Sequence, residues 1–314
     1  MGKRPSVFSR ILNALSTDIG IDLGTANTLV YVRGKGIVLN EPTIVAINKK
    51  TGQLVAVGAD AKAMLGRTPH HIEVIRPLVD GVISDFEVTE EMLAYLINKV
   101  RSETRSLVAP RVLVGVPSGI TNVEMRAARD AAKNAGAREV LLIEEPMAAA
   151  IGAKLPVGKA IGNMIIDIGG GTTDIAVISL SGIVVAKNLR VAGDHLNAAI
   201  VAYIRDQFKV LVGDKTAEDA KIVLSSIVQH EDGKEMVVRG RDVVTGLPRE
   251  VIITDTDIRE AISHSIDSIV EAVRSVLEKT PPEVLADVMQ RGIHISGGGA
   301  LIPGLAPLIA DLMQ

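Results

Sequence analysis

The sequence predicts an α/β protein built from two related lobes, and three observations carry that prediction. The same strand, glycine turn, strand plan occurs twice, at residues 19–34 and 163–182. Between the copies, strand and helix patterns alternate: a continuous apolar run at 111–117, an alanine-rich helical pattern at 122–135 closed by Gly136, and a second strand at 140–143. A length of 314 residues with 47% hydrophobic content also suffices for two cored domains.

The repeated element carries the chemistry. In the second copy the apolar Met164, Ile165 and Ile166 lead into Asp167-Ile168-Gly169-Gly170-Gly171-Thr172-Thr173-Asp174 and a second strand through Ser179; the first copy runs through Asp22-Leu23-Gly24-Thr25-Ala26-Asn27-Thr28 to Tyr31 and Val32. Successive glycines allow backbone N–H groups to converge on an anion, and the Thr172 and Thr173 hydroxyls add donors, which suits a polyphosphate. A Walker loop or dinucleotide fingerprint would pass from its glycines into a helix, whereas the β-branched Ile175, Val177 and Ile178 continue as strand. Asp22 and Asp167 would repel phosphate unless a divalent cation lies between. A lone Asp-x-Gly turn usually does no more than bond its own backbone. Two such turns, about one domain apart, favour a duplication around one shared site.

Composition closes off other classes. A net charge of −3 and 2% aromatic residues offer neither a cationic field nor stacking platforms for nucleic acid. The absence of cysteine excludes disulfides and thiolate metal sites and fits a cytosolic protein. No apolar run reaches the roughly 18 residues of a membrane-spanning helix.

Taken in order, residues 1–17 place Val7, Phe8, Ile11, Leu12 and Leu15 on one helical face with Lys3, Arg4 and Arg10 on the polar side, a pattern suited to an anionic membrane surface. A tail or a helix docked on the body is the alternative. Short alternating strands at 37–57 and a helical stretch at 60–65 make a small inserted lobe, and the chain returns to the body over 72–83. Thr89 begins an amphipathic helix carrying Met92, Leu93, Leu96, Ile97 and Val100. Residues 101–110 read as a loop, in which Leu107 and Val108 are a minor core contact or a second membrane-touching tip. The strand at 111–117 is expected in a sheet covered on both faces. Glu144 and Glu145 then open a small-residue helix, where acids suit the N-terminus and the first turn is a plausible cleft wall. Beyond the second hairpin come a helix from Gly193-Asp194 to about Val210, another over 217–227, short strands at 235–253, and a long helix over 257–278. Its apolar stripe is Ile258, Ile262, Ile266, Ile269, Val273 and Val276, and a last strand at 292–295 runs into Ser296-Gly297-Gly298-Gly299-Ala300-Leu301. That third glycine turn would admit a flat ring close to the backbone, or is simply a tight connection.

Together the pieces resemble the actin, sugar-kinase and heat-shock-chaperone ATPase superfamily, and within it the MreB family of bacterial actins. The matching residues are Asp22 to Thr28, Val38-Leu39-Asn40-Glu41-Pro42, Gly66-Arg67-Thr68-Pro69, Glu144 to Gly152, Asp167 to Asp174 and Ser296 to Leu301, which span nearly the whole chain. The resemblance implies an actin-like ATPase fold of two mixed-sheet lobes around an ATP cleft, each bearing a small subdomain. After the 1–17 segment, lobe I would cover 18–150 with its small subdomain at about 37–74, and lobe II 151–314 with its own at about 194–254. By the same resemblance Thr25, Ala26, Asn27, Gly169, Gly170, Gly171, Thr172 and Thr173 hold phosphates, and Asp22 and Asp167 hold Mg²⁺ through water. Glu218 and Lys221, with Gly297, Gly298, Gly299, Ala300 and Leu301, cradle adenosine. Glu145 orients or deprotonates the attacking water, helped by Thr172. The implied protein is a cytoplasmic filament former on the inner membrane, partnered by itself and by cell-wall elongation proteins; its 1–17 segment and Leu107-Val108 face the lipid. Two features depart from the family pattern. The chain stops at Gln314, where a further strand and helix usually return to the first lobe, and Glu218-Asp219-Ala220-Lys221 stands for Glu-Arg-Ile-Lys. A small-molecule kinase, a chaperone or a non-hydrolysing nucleotide scaffold would share the same cleft. No acceptor-substrate insert supports the kinase, and no peptide-binding domain the chaperone.

Overall fold

The computed structural model describes residues 16–104, 108–229 and 233–313. Residues 1–15 and Leu107 lie outside them, so the 1–17 segment enters only as the backbone of Ser16 and Thr17. The chain divides into two compact units, 1–148 and 149–314.

In the first unit, β1 (Ser16–Leu23), β2 (Asn27–Val32) and β3 (Gly36–Pro42) form an antiparallel meander. β4 (Val45–Asn48), β5 (Leu54–Val57), α1 (Ala59–Met64) and β6 (Ile72–Ile75) follow, then the short pair β7 (Leu78–Val79) and β8 (Val82–Ile83). α2 (Phe86–Thr104), β9 (Val108–Val116), α3 (Asn122–Asn134) and β10 (Glu139–Glu144) complete the unit, and α4 (Glu145–Gly152) leads out of it. The large sheet has the order β10-β9-β1-β2-β3, with β9 parallel to β1 and β10. Because β3 is paired along β2, it belongs to this sheet, and the small sheet is β5-β4-β6.

Helix α2 starts earlier than its apolar stripe suggests. The Asp85 carboxylate accepts the Val88 N–H at 3.0 Å, which makes Asp85 the cap and places the buried Thr89 inside the helix. Met92, Leu93, Leu96, Ile97 and Val100 are fully buried against Ile19, Ile21, Val30, Val112 and Val114. A capping box between Thr121 and Glu124 starts α3, which joins the same core. On the opposite face Tyr31, Leu113 and Leu141 are 49%, 39% and 54% exposed, so the described residues cover one face of the sheet and not both. Val108 corrects the loop reading: it is the first residue of β9, in register with Ser16, because pairing with β1 carries the strand back beyond the apolar run.

The second unit repeats the plan. β11 (Asn163–Ile168), β12 (Thr173–Ser179) and β13 (Gly182–Leu189) form an antiparallel meander, extended on the β11 side by the parallel β17 (Ile293–Ser296). Between β13 and β17 come α5 (Gly193–Phe208), β14 (Val210–Leu211), α6 (Asp214–Leu224), β15 (Glu235–Asp242), β16 (Pro248–Thr254), α7 (Asp255–Lys279) and α8 (Pro282–Arg291). A 3₁₀ turn at Gly298–Leu301 leads to α9 (Leu305–Ala310). Strands β14, β15 and β16 form the second small sheet. The α7 stripe from Ile258 to Val276 is buried with Ile166, Ile175, Val177 and the α5 residues Leu196, Ile200 and Ile204. Lys209, left-handed at φ 59°, ends α5 just before Val210 turns into strand, and α6 stops at Leu224 because Ser225 is extended.

Candidate functional site

In the second unit the turn between β11 and β12 is held from behind by the start of α5. The Gly193 and Asp194 N–H groups donate to the Gly169 and Gly170 carbonyls at 3.2 and 2.7 Å, and within the turn the Gly169 N–H donates to the Thr172 carbonyl at 2.9 Å. With two glycine carbonyls engaged, the turn is ordered by backbone bonds before any ligand arrives. Thr173 differs from expectation. It is fully buried as the first residue of β12, and its hydroxyl proton goes to the Val191 carbonyl at 2.7 Å, leaving Thr172 as the hydroxyl donor of the turn.

Asp167 ends the wall formed by β11 and β17. It is in register with Ser296, whose hydroxyl donates to Asp167 Oδ1 at 2.7 Å, and burial pushes this carboxyl above its ordinary value against the smaller pull of Ser296. The glycines after Ser296 permit close packing. A Cβ on Gly297 or Gly299 would collide with the Ile168 carbonyl or side chain. Gly298 faces open space, and Ala300 and Leu301 follow in the 3₁₀ turn with Leu301 83% exposed. From the far side, Lys221 Nζ reaches the Gly193 carbonyl at 3.0 Å and Glu218 Oε2 at 2.8 Å, and Glu218 also accepts from Asn197 Nδ2 at 2.6 Å. A continuous polar path therefore joins the glycine turn to Glu218 and Lys221.

In the first unit the equivalent turn is clamped by Thr43. Its hydroxyl donates to the Gly24 carbonyl at 2.6 Å and lies 2.9 Å from the Thr28 hydroxyl, while its N–H donates to the Ala26 carbonyl at 3.0 Å. The Thr25 hydroxyl is buried and accepts the Gly81 N–H at 2.9 Å; the Asn27 side chain is exposed. Asp22 and Glu145 approach one another across Gly115: a Cβ there would lie 3.7 Å from Asp22 Oδ1 and 3.6 Å from Glu145 Cγ. Ser118 donates to Glu144 at 2.9 Å, beside the start of α4. Each unit thus gathers its own predicted residues: Asp22, Thr25, Ala26, Asn27 and Glu145 in the first, the remainder in the second.

Sequence reasoning missed Thr43, Gly115, Asn197 and the Ser296 contact to Asp167. Only Ser296, placed just before its glycines, carried a local signal; the others depend on strand register or helix packing. The residues fit a phosphate ligand and a cation held through water. Among those described, no three His, Cys, Asp or Glu side chains converge as a direct metal shell. No helix among them is long and apolar enough to cross a membrane.

Residues 16–314 match the MreB/Mbl protein family. The chain is 50% identical over 298 residues to the cell shape-determining protein Mbl of Bacillus subtilis, covering 95% of this chain and 89% of that protein. It is likewise 50% identical over 309 residues to the cell shape-determining protein MreB of Escherichia coli, covering 97% and 89%. Among solved structures, MreB5 of Spiroplasma citri bound to ADP superposes with a TM-score of 0.88 at 42% identity over 94% of this chain and 89% of that one, and its AMPPNP complex gives 0.87 at 41% over 95% and 89%.

Proposed function

The chain belongs to the MreB/Mbl family, and from that premise we propose an ATP-binding and ATP-hydrolysing actin-like cytoskeletal protein that polymerises into membrane-associated filaments and directs cell-wall synthesis and rod shape. The observation that carries this reading is the β11–β12 turn, whose carbonyls are tied down by Gly193 and Asp194. Such a turn can offer backbone N–H groups and the Thr172 hydroxyl to phosphate, and the MreB5 relative was solved with ADP and with AMPPNP.

Each residue then has a task. Gly169, Gly170, Gly171 and Thr172 in the second unit, and Thr25, Ala26 and Asn27 in the first, hold phosphates, while Thr173, its hydroxyl given to Val191, fixes the end of the turn. Glu218, Lys221 and residues 297–301 hold adenosine. Asp22 and Asp167 hold water molecules of a Mg²⁺ shell, and the bound ion supplies neutralisation of phosphate charge. Glu145, aided by Thr172, orients or deprotonates the attacking water, so that positioning and charge neutralisation account for most of the rate. Outlining a cell exceeds the reach of one molecule, which makes self-assembly the route from nucleotide state to shape. Residues 1–17 and Leu107-Val108 supply the face toward the inner membrane in this reading.

Co-sedimentation with anionic liposomes, with and without MgATP, and electron microscopy of the pellets test the proposal. Filaments on lipid that require nucleotide are the expected result. Protein that binds ATP yet stays in the supernatant would reject polymerisation and leave a nucleotide-binding scaffold. Phosphate transfer to a sugar without filaments would make it a kinase.

A further inference from the structure

Gly115 is the next-to-last residue of β9, paired on both sides in the large sheet of the first unit, where glycine has no evident structural use. It is buried in β9, in register with Asp22 on β1 and Ile143 on β10. Its φ is not among the positive values that call for glycine. Nor is it needed for close packing, because a Cβ would meet Glu145 Cγ at 3.6 Å, Asp22 Oδ1 at 3.7 Å and Asp22 Cα at 3.8 Å, all ordinary contacts. A side chain would therefore fit. Glycine weakens a strand interior, and where it occurs there it often marks the close approach of a ligand or another backbone. The backbone atom among its nearest neighbours, Asp22 Cα on the paired strand, leaves ordinary contact distance at 3.8 Å. What a side chain would occupy is the space between two carboxylates, and Gly115 also lines a small cavity with Leu23, Gly81, Pro117 and Ile120.

We propose that Gly115 is a positioning residue that keeps a water-sized gap open between Asp22 and Glu145, so that the water held by one carboxylate is within reach of the other. This rests on the nucleotide reading above, in which Asp22 serves the Mg²⁺ shell and Glu145 the attacking water. A methyl group there removes solvent from beside Asp22 Oδ1 and crowds the Glu145 stem, yet touches none of the residues proposed to hold phosphates or adenosine.

Thermal unfolding of the parent, Gly115→Ala and Gly20→Ala, each alone, with metal-free AMPPNP and with Mg·AMPPNP, tests the idea beside ATP hydrolysis. Gly20 is the control, a β1 glycine on the same sheet face whose Cβ would meet only Tyr31, at 3.7 Å. The expected Gly115→Ala protein melts no lower than the parent when unliganded and keeps the metal-free shift. It loses at least half of the extra shift caused by Mg²⁺, and its hydrolysis falls at least tenfold, while Gly20→Ala matches the parent. Full retention of the Mg²⁺ increment and rate by Gly115→Ala overturns the proposal, as does loss of the metal-free shift or an equal loss in Gly20→Ala. A parent that responds to no nucleotide rejects the nucleotide reading and this role with it; a responsive parent matched by Gly115→Ala rejects this role alone.

Discussion

Gly297→Ala offers the sharpest test of how the glycine turn after β17 is built. Gly297 has φ 83° and ψ 173°, a region essentially reserved for glycine, where a side chain costs about 1–3 kcal/mol. Its Cβ would also collide with the Ile168 carbonyl and stand 2.9 Å from Asp167 Oδ1, so β17 or the end of β11 must shift. Overpacking of this kind costs about 1–3 kcal/mol. The sum centres near ~4 kcal/mol, which for a unit of this size lowers the melting temperature by roughly 8–16 °C. The neighbouring Gly298→Ala is the internal control, since its Cβ meets nothing within 4 Å and its φ is not positive. It is expected to stay within about 0.5 kcal/mol of the parent. Paired urea and thermal unfolding of the two variants at neutral pH reads the difference. Gly297→Ala within about 1 kcal/mol of the parent, or Gly298→Ala as damaged as Gly297→Ala, would refute the reasoning.

Three further outcomes follow from the same geometry. Glu145→Ala should lower ATP hydrolysis about 10²–10⁴-fold while a fluorescent ATP analogue still binds with parental affinity; loss of binding instead would remove Glu145 from its proposed role. Burial raises the Asp167 carboxyl, so the folded state holds that proton more tightly than the unfolded chain. The stability contributed by the protonated form is complete below the ordinary carboxylate value of about 3.9 and declines as pH rises through the raised folded value. Asp167→Asn removes this decline, and urea unfolding of the unliganded proteins should show the variant gaining on the parent from acid to neutral pH; a constant difference would contradict it. Thr43→Val leaves the Gly24 carbonyl and the buried Thr28 hydroxyl without their bonds, which costs about 2–3 kcal/mol in urea unfolding. Parental stability in that variant would show that the Thr43 clamp is dispensable.

Local periodicity and turn chemistry were enough to place the main elements. The two hairpins, the apolar stripes of α2 and α7, and the glycine runs follow from alternation, from a 3.6-residue repeat and from residues that tolerate unusual backbone, all of which act over a few positions. Their repetition even made the duplication visible: each unit is an antiparallel meander of three strands extended beside its first strand by a parallel one. The helix start at Asp85 was less legible because a capping side chain lies outside the apolar pattern it serves. Tertiary structure alone decided the register of the parallel strands, since nothing near Asp167 announces a partner 129 residues away and nothing near Asp22 announces Gly115. It likewise decided that Thr173 turns inward to Val191 while Thr172 remains a donor, and that the start of α5 holds the glycine carbonyls. The physical reason is the same in each case. These are contacts between elements, set by how sheets and helices satisfy buried polar groups once packed, and no window of neighbouring residues contains that information.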